Sequence, residues 1–316
     1  MTDRHSGDLG VRFAEPRVGE RARELVPAGA VRSLRAVGTG ALWFESGREP
    51  RVVSLAPADD AEGQAAAFGG PVAGESADAG AGLVLKRFPL NAATAAAVRD
   101  LLPNLRPVPL GMATSAGFGD RLGMATPGHV EALRRADATD RVAPIFAQQS
   151  IREMTRTRRT AQQVMDDATF GAFQAGWQAA VGADADHLKT DQNVLDCVAA
   201  GFTFFTIDPS EHVDDEAESA DEATLRAKVA ALPWTRLEDD WAGLRARFLG
   251  GPLAADGVKL DFNEHVLARA AAKYGAALAH TAGLHRVLAG TGAPFELELS
   301  VDETSYPTTL EEHAYL

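Results

Sequence analysis

Short apolar runs that end in polar residues recur along the second part of this sequence, and segments with helical periodicity separate them. The runs cover residues 144–149, 181–187, 202–208 and 295–303. Strands that alternate with helices predict a parallel sheet with right-handed crossovers. Polar groups at the carboxyl ends of the strands are typical of the active-site rim of a (β/α) barrel. The pattern therefore predicts an α/β fold of the TIM-like barrel class, although a doubly wound open sheet would show the same bias.

The barrel predicted by this pattern is short of strands. With the segment GDRLG at 119–123 the number of strand candidates reaches five, whereas a closed barrel needs eight. We therefore expect either an open sheet or an incomplete piece of a longer barrel protein. In the second case apolar surface is expected to be exposed where the further strands belong.

Capping signals locate several helices between the strands. Thr160 and Gln163 have the spacing of a capping box, which predicts a helix that starts at Thr160. Asn91 is a candidate N-cap for a helix over 91–102. A long helix is predicted over 264–289 from its apolar periodicity, which puts on one face Leu267, Ala271, Tyr274 and Leu278. These positions fit the alternation of strands and helices.

Residues 1–110 differ from the rest of the chain, and we predict that they form an N-terminal α/β cap region. Their strand-like runs lie at 41–44, 51–55 and 82–88. The segment 56–82 is rich in Ala, Gly and Asp. It predicts a mobile loop, because such a composition buries too little apolar surface to offset the entropy of ordering. Pro103 and Pro107 mark a boundary near residue 110, so residues 111–316 are assigned to the first part of the barrel.

The charge balance excludes several classes of partner. The chain has 316 residues, of which 31 are Lys or Arg and 44 are Asp or Glu, and its net charge is −13. A nucleic-acid backbone binder would need a basic face, so no nucleic-acid partner is expected. A single cysteine, Cys197, excludes a disulfide framework. The polar first residues and the absence of a long apolar run predict a cytoplasmic protein with no membrane partner.

The segment GADADH contains the most informative polar residues, Asp184, Asp186 and His187. In a strand the two aspartates share one face and His187 lies on the other. At the end of the strand, however, Asp186 and His187 can both turn into the barrel mouth. An imidazole beside a carboxylate suits a divalent metal cation, and the carboxylate can act as a base or a ligand. The alternative is that the aspartates cap the next helix and His187 is a hydrogen-bonded rim residue.

Two further acids, Asp302 and Glu303, end the last apolar run. Carboxylates at the end of an apolar strand are costly unless they are paired or bound to a metal. The two side chains are out of phase, so one of them is expected to point into the mouth. An N-cap role for Asp302 or Thr304 is equally compatible with the pattern.

Glycines surround Asp120 and Arg121 in the segment GFGDRLG at 117–123. This segment matches neither the dinucleotide-binding motif nor the P-loop. Arg121 could pair with the carboxylate of an anionic substrate, and a tight turn with a structural ion pair is the alternative. Gln149, at the end of the run 144–149, can hydrogen-bond to sugar hydroxyls or to neighbouring backbone. The basic stretch at 151–159 is interpreted as a solvated face or as a clamp for a small acidic molecule.

Several longer motifs resemble those of the tagaturonate epimerase family. They are GFGDRLGMATPGH (117–129), PIFAQQSIREMTRTRRT (144–160), DDATF (166–170), GADADHLK (182–189), GFTFFTIDPSEHVDD (201–215) and SVDETSYPTT (300–309). The similarity extends over 111–313 in consistent order. It implies an enzyme that interconverts D-tagaturonate and D-fructuronate, uses a divalent metal cation and serves hexuronate catabolism.

The resemblance also implies roles for individual residues. It implies that the carbon beside the ketone of a hexuronate substrate loses its proton to Asp186, and that Glu303 returns a proton on the opposite face. The two acids could exchange these roles with the direction of the reaction. His187 is then a metal ligand. The substrate contacts that we predict from the resemblance are Asp120, Arg121 and Gln149, with Arg121 nearest the carboxylate.

Two alternatives to the epimerase remain at this stage. One is another metal-assisted sugar-acid isomerase or an aldolase, which product analysis would separate from an epimerase. The other is a non-catalytic or degenerate sugar-acid-binding protein. Since members of the family continue with further strands and ligands, we expect this chain to be an incomplete piece whose activity alone is in question.

Overall fold

The computed structural model describes residues 11–62, 66, 68, 75–255, 257–301 and 304–316. The strands in this part of the chain are β1 Arg35–Val37, β2 Gly40–Glu45, β3 Arg51–Pro57, β4 Glu75–Gly80, β5 Leu83–Pro89, β6 Ser115–Gly117, β7 Ala143–Ser150, β8 Gly182–Leu188, β9 Phe204–Ile207, β10 Leu253–Ala255, β11 Val258–Leu260 and β12 Glu296–Leu299. The α-helices are α1 Pro16–Leu25, α2 Ala92–Leu101, α3 Thr126–Arg135, α4 Ile151–Thr157, α5 Ala161–Gln174, α6 Asp191–Ala200, α7 Glu222–Ala230, α8 Trp234–Leu237, α9 Trp241–Leu249, α10 Glu264–Thr291 and α11 Leu310–Tyr315. The chain divides into two compact units. The first ends within β8, at Ala185, and also includes Ala199–Thr203, and the second consists of Asp186–Val198 and Phe204–Leu316.

The N-terminal region of the first unit is built on an antiparallel sheet in the order β1-β2-β3-β5-β4. Strands β2, β3 and β5 alternate bulky apolar side chains toward one face, where α1 also packs. The buried residues of this core include Trp43, Val53, Leu55, Leu83 and Leu85. The strands predicted at 41–44, 51–55 and 82–88 are therefore confirmed, within a residue or two at their ends.

The mobile loop predicted over 56–82 is wrong in part. Residues Glu75–Gly80 form β4, which pairs with β5 along the edge of the antiparallel sheet. All side chains of β4 except that of Ala79 are exposed. Its stability comes from backbone hydrogen bonds to β5, so no apolar pattern signals it. Residues 63–65, 67 and 69–74 of the predicted loop lie outside the described residues.

The second sheet joins β12, β9, β8, β7 and β6 in that order. Strands β6 and β7 pair in parallel in the first unit, and β9 and β12 pair in parallel in the second. The strands follow one another in chain order with helices between them, which is the arrangement of half of a (β/α) barrel. The strands predicted at 144–149, 181–187, 202–208 and 295–303 correspond to β7, β8, β9 and β12.

The strand predicted at 119–123 is displaced. The strand at this place is β6, Ser115–Gly117, and residues 119–123 lie in the loop that follows it. This loop contains Gly123, and glycine adopts positive φ without a steric penalty. Gly123 has φ of +74°.

The predicted caps are confirmed. The Thr160 side chain accepts from the Gln163 backbone N–H while the Gln163 side chain accepts from the Thr160 N–H, which is a complete capping box. Asn91 caps α2 by accepting from the backbone N–H of Thr94. The long helix α10 continues to Thr291, two residues beyond its predicted end, and Gly292 ends it with φ of +70°.

The second unit packs short helices against α10. The buried apolar residues of α7, α9 and α10 include Leu225, Val229, Leu244, Leu267 and Tyr274. Within the described residues, no helix combines the length and the apolar composition that crossing a bilayer requires.

Candidate active site

A buried arginine organises the carboxyl end of β7 in the first unit. Arg159 follows α4, and its side chain is only 11% exposed. Its Nη1 donates to the backbone oxygen of Asp120 and to Oε1 of Gln149, each at 2.7 Å. Its Nη2 donates to Oδ2 of Asp167, also at 2.7 Å. We call Asp120, Gln149, Arg159 and Asp167 the Arg159 cluster.

The Asp120 carboxylate holds the loop that follows β6. Its Oδ1 accepts from the backbone N–H groups of Leu122 at 3.1 Å and Gly123 at 2.7 Å, and its Oδ2 accepts from Ala125 at 2.6 Å. Burial alone would raise the pKa of Asp120, but the backbone donors outweigh it and hold the pKa below its usual value. These contacts show a structural role for Asp120, and its predicted contact with substrate stays a prediction.

We expect Asp120→Asn to lower the stability of the protein at pH 7 by about 1–3 kcal/mol, because one acceptor oxygen becomes an amide that faces backbone donors. The folded-state pKa is lowered, so the carboxylate stabilises the fold above its unfolded pKa of about 3.9. That stabilisation is lost as the pH falls through the lower folded-state pKa. Urea unfolding of both proteins from pH 7 to pH 3 measures this. A stability difference that is as large at pH 3 as at pH 7 would contradict the argument.

Gly123 lies against the same cluster, and its replacement by alanine is expected to destabilise the protein by about 2–4 kcal/mol. A Cβ there would overlap Oδ2 of Asp167 and lie 3.1 Å from Nη2 of Arg159, in a backbone conformation that disfavours L-residues. Gly111→Ala is the matched control. Gly111 also has positive φ, but apart from its chain neighbours no described residue has an atom within 4 Å of its added Cβ, so we expect a loss of about 1–2 kcal/mol. Equal losses in urea unfolding would show that the cluster does not constrain Gly123.

The other two predicted substrate contacts differ in exposure. Arg121 is largely exposed, and its Nε lies 3.1 Å from Oε2 of Glu153. Glu153 is 15% exposed and also pairs with Arg156 at 2.9 Å, so it keeps a cation when Arg121 turns to a ligand. Gln149 is 3% exposed and belongs to the Arg159 cluster. The substrate contacts of Arg121 and Gln149 stay predictions.

Asp186 and His187 lie side by side at the carboxyl end of β8, in the second unit. The Oδ1 atom of Asp186 is 2.5 Å from Nδ1 of His187, and the two side chains are 20% and 29% exposed. His187 has φ of +56°, which is unusual for a residue with a side chain. This conformation breaks the strand alternation and brings the imidazole to the side of Asp186. The predicted turn of both side chains into the barrel mouth stays a prediction.

Lys189 forms a second polar group next to this pair in the sequence. Its Nζ is 2.9 Å from Oε1 of Glu211 and 3.3 Å from Oδ2 of Asp208, which is buried. The pKa of Lys189 is raised above its usual value, mainly by the hydrogen bond to Glu211 and to a smaller extent by Asp208. The amine therefore stays protonated at neutral pH, which is unsuited to imine formation with a ketone.

The sequence did not single out Arg159 or Lys189. Arg159 belongs to the basic stretch 151–159, which resembles a solvated face, and its partners come from β7, the loop after β6 and α5. Lys189 immediately follows β8, so its position just beyond an apolar strand was a signal that could have found it.

The metal prediction has a limited donor set. Among the described residues, no group of three or more His, Cys, Asp or Glu side chains is arranged to hold a metal ion. Asp186 and His187 offer two donor residues, whereas protein metal sites use at least three as a rule. The described residues do not by themselves fit a divalent cation. Glu303, the predicted acid, lies outside the described residues, as does Asp302.

Sequence comparisons place these motifs in one family. A family model described as tagaturonate epimerase (UxaE) matches residues 42–316. A tagaturonate/fructuronate epimerase of Thermotoga maritima is 39% identical over 219 residues, which are 69% of this chain and 43% of that protein. The chain thus spans less than half the length of this curated relative.

Solved structures show the same fold. The native crystal structure of fructuronate-tagaturonate epimerase UxaE from Cohnella laeviribosi has a TM-score of 0.76 and 26% identity, and covers 95% of this chain and 58% of its own. A glycerol complex of the same protein has a TM-score of 0.76 and 28% identity, and covers 94% of this chain and 57% of its own. The likeness confirms an α/β fold with a parallel half-barrel sheet and an N-terminal antiparallel sheet. Since the family model matches most of the sequence, the chain belongs to the tagaturonate epimerase family.

Proposed function

We propose that this chain provides catalytic groups of an epimerase that interconverts D-tagaturonate and D-fructuronate, with Asp186 as the base. The observation that carries the proposal is the contact between Asp186 and His187 at the carboxyl end of β8 in a member of this family. The proposed substrate is a keto hexuronate, and the proposed setting is hexuronate catabolism in the cytoplasm. Family membership and the names of its relatives support these points.

The Asp186 carboxylate is suited to accept a proton from a bound sugar acid. One of its oxygens contacts the His187 ring, and the other, Oδ2, has no hydrogen-bond partner among the described residues. The side chain is partly exposed, so a ligand can reach it. A positioned base of this kind accelerates proton transfer by about 10²–10⁴-fold. His187 holds the carboxylate in place through the unusual backbone conformation at the strand end.

Removal of the proton beside the ketone, as the resemblance implies, does not by itself interconvert these two acids. They differ in configuration at the hydroxyl-bearing carbon next but one to the ketone, where no carbonyl acidifies the C–H bond. We infer that the base takes the hydroxyl proton of that carbon instead. The C–C bond toward the ketone then breaks, its electron pair forms an enediolate, and the hydroxyl-bearing carbon becomes an aldehyde. Rotation of the aldehyde, bond formation on its opposite face and return of the proton give the epimer.

The remaining predicted roles belong to the same proposal. Glu303 is proposed as the acid. Arg121 is proposed to pair with the substrate carboxylate, since the substrate can replace Glu153 as the partner of this arginine. His187 is proposed as one ligand of a divalent cation, whose further ligands would lie outside the described residues. Titration with Zn²⁺ tests this last role, and equal binding by the wild type and by His187→Ala would overturn it.

Proton NMR of D-fructuronate in heavy water tests the proposal. We expect tagaturonate to form without deuterium at the carbon beside the ketone, since cleavage and re-formation of the bond leave that C–H intact. Deuterium at that carbon would instead support proton removal there. Accumulation of two fragments would identify an aldolase. Binding of fructuronate without conversion, unchanged by Asp186→Asn, would overturn the proposal in favour of a sugar-acid-binding protein.

A further inference from the structure

The side-chain amide of Gln149 has a fixed orientation in the Arg159 cluster. The guanidinium of Arg159 has no acceptor, so the Gln149 atom 2.7 Å from Nη1 is the oxygen. The Gln149 Nε2 lies 3.3 Å from the hydroxyl of Thr157. That hydroxyl donates to the backbone oxygen of Glu153 at 2.8 Å, and therefore accepts from Gln149. The donor and the acceptor of each hydrogen bond in this series, from Arg159 through Gln149 and Thr157 to Glu153, therefore follow from the chemistry of the groups.

The cluster has more hydrogen-bond donors than acceptors. The amide of Gln149 has two N–H bonds, and only one of them has an acceptor among the described residues. The Nε of Arg159 is also buried, and it has no hydrogen-bond partner among the described residues. A buried donor without an acceptor is costly, and most buried polar groups in proteins avoid that state. Two such donors at one strand end indicate a place for a ligand with acceptor oxygens.

We propose that Arg159 is a positioning residue that fixes the Gln149 amide as a donor toward a carboxylate or carbonyl oxygen of the sugar acid. The proposal rests on the proposed function, since it takes the substrate to be a keto sugar acid. The second N–H of the Gln149 amide can only donate, so it is matched to an acceptor oxygen of the ligand. Arg159 acts through Gln149, and its own charge is shared with Asp167.

Gln149→Glu in the 316-residue chain separates this role from a structural one. The carboxylate keeps the acceptor for Arg159, so we expect the melting temperature to be maintained or raised. It removes the N–H donors and places a negative charge toward the ligand oxygen. Binding of D-fructuronate, measured by calorimetry, is therefore expected to weaken by about 10–100-fold. Unchanged binding would show that Gln149 serves only as a partner of Arg159.

A double-mutant cycle tests whether Arg159 acts through Gln149. Arg159→Met is expected to weaken binding of D-fructuronate by about 10-fold in the wild-type background and by less than about 2-fold in a Gln149→Leu background. A merely structural role would give equal losses in both. Arg99→Met is the control, because Arg99 forms a similarly buried pair with Asp166 on the same helix, α5. It should lower the melting temperature and leave binding unchanged.

The outcomes distinguish this inference from the proposed function. Wild-type binding that responds to Gln149→Glu, without any conversion of D-fructuronate, would overturn the epimerase and leave the positioning role standing. If the wild type converts D-fructuronate and Gln149→Glu binds it as tightly as the wild type does, the epimerase stands and the positioning role is overturned. If Arg159→Met does not fold, Gln149→Glu alone decides. Absence of D-fructuronate binding by the wild type at millimolar concentration would overturn the positioning role.

Discussion

Replacement of Asp186 by asparagine is expected to lower the rate of conversion between D-fructuronate and D-tagaturonate by about 10²–10⁴-fold. Asparagine has the same shape and can still hydrogen-bond to His187, so the strand end should keep its structure. It cannot accept a proton at neutral pH, and the proposed first step therefore loses its base. Initial rates followed by proton NMR measure the effect, with the melting temperature as a check of folding.

Asp196→Asn is the matched control for this experiment. Asp196 lies exposed on α6 and accepts a hydrogen bond from Gln192 at 2.7 Å, away from the strand ends. The same chemical change there should leave the rate unchanged. An Asp186→Asn protein that retains more than roughly a third of the wild-type rate would show that Asp186 is not the general base.

The strand ends of this fold were predictable, because two signals coincide there. In β7 and β8 an apolar run long enough for a buried strand is followed at once by polar residues, and only the end of a strand accommodates both. The position of Asp186 and His187 at a strand end was predicted in this way, but their contact was not. The geometry of that contact was not predictable, because the φ of +56° at His187 is a property of the folded backbone and leaves no trace in residue type.

Elements held by backbone contacts or by distant partners were harder to predict. Strand β4 has exposed side chains, so its sequence resembles a loop. Arg159 stands in a run of basic residues that resembles a solvated surface, yet its guanidinium is bound by groups from α5, β7 and the loop after β6. Such partners come together only when the tertiary structure forms, which a local pattern does not report.

Helix α10 contains a buried charge that a local sequence pattern likewise does not predict. The apolar periodicity predicted Leu267, Ala271, Tyr274 and Leu278 as one buried face. The structure buries further sides of this helix, and Lys273 is 0% exposed among them. A lysine next to Tyr274 in a helical pattern is ordinarily read as solvent-facing. Its acidic partners lie in segments that are distant in the sequence.

Lys273 joins α10 to its surroundings through two carboxylates. Its Nζ is 3.2 Å from Oε2 of Glu218 and 3.4 Å from Oε1 of Glu312, and Glu312 is also 0% exposed. Burial alone would lower the pKa of Lys273, but these acids outweigh it and raise the pKa, so the residue is a cation at neutral pH. Glu218, which lies in the acidic stretch at 211–222, is thus a partially buried member of this ion pair.

Lys273→Met is expected to destabilise the second unit by about 2–4 kcal/mol, because it removes the nearer cation of the fully buried Glu312 carboxylate and leaves only Arg269, whose Nε is 3.8 Å from Oε1 of Glu312. Addition of Glu312→Gln should recover a large part of this loss. The glutamine is neutral, and it can still serve in the capping box that Glu312 forms with Thr309 at the start of α11. Urea unfolding followed by circular dichroism measures both variants.

Lys259→Met provides the reference for the loss of an exposed lysine. Its ion pair with Asp261 is 75% exposed on each side, so we expect a change within about 0.5 kcal/mol. The decisive comparison is between the single and the double variant at Lys273. If the uncompensated charge causes the loss, neutralising Glu312 must restore stability, whereas a loss caused by poor packing of the methionine would remain. An equal loss in both variants would therefore contradict the electrostatic explanation.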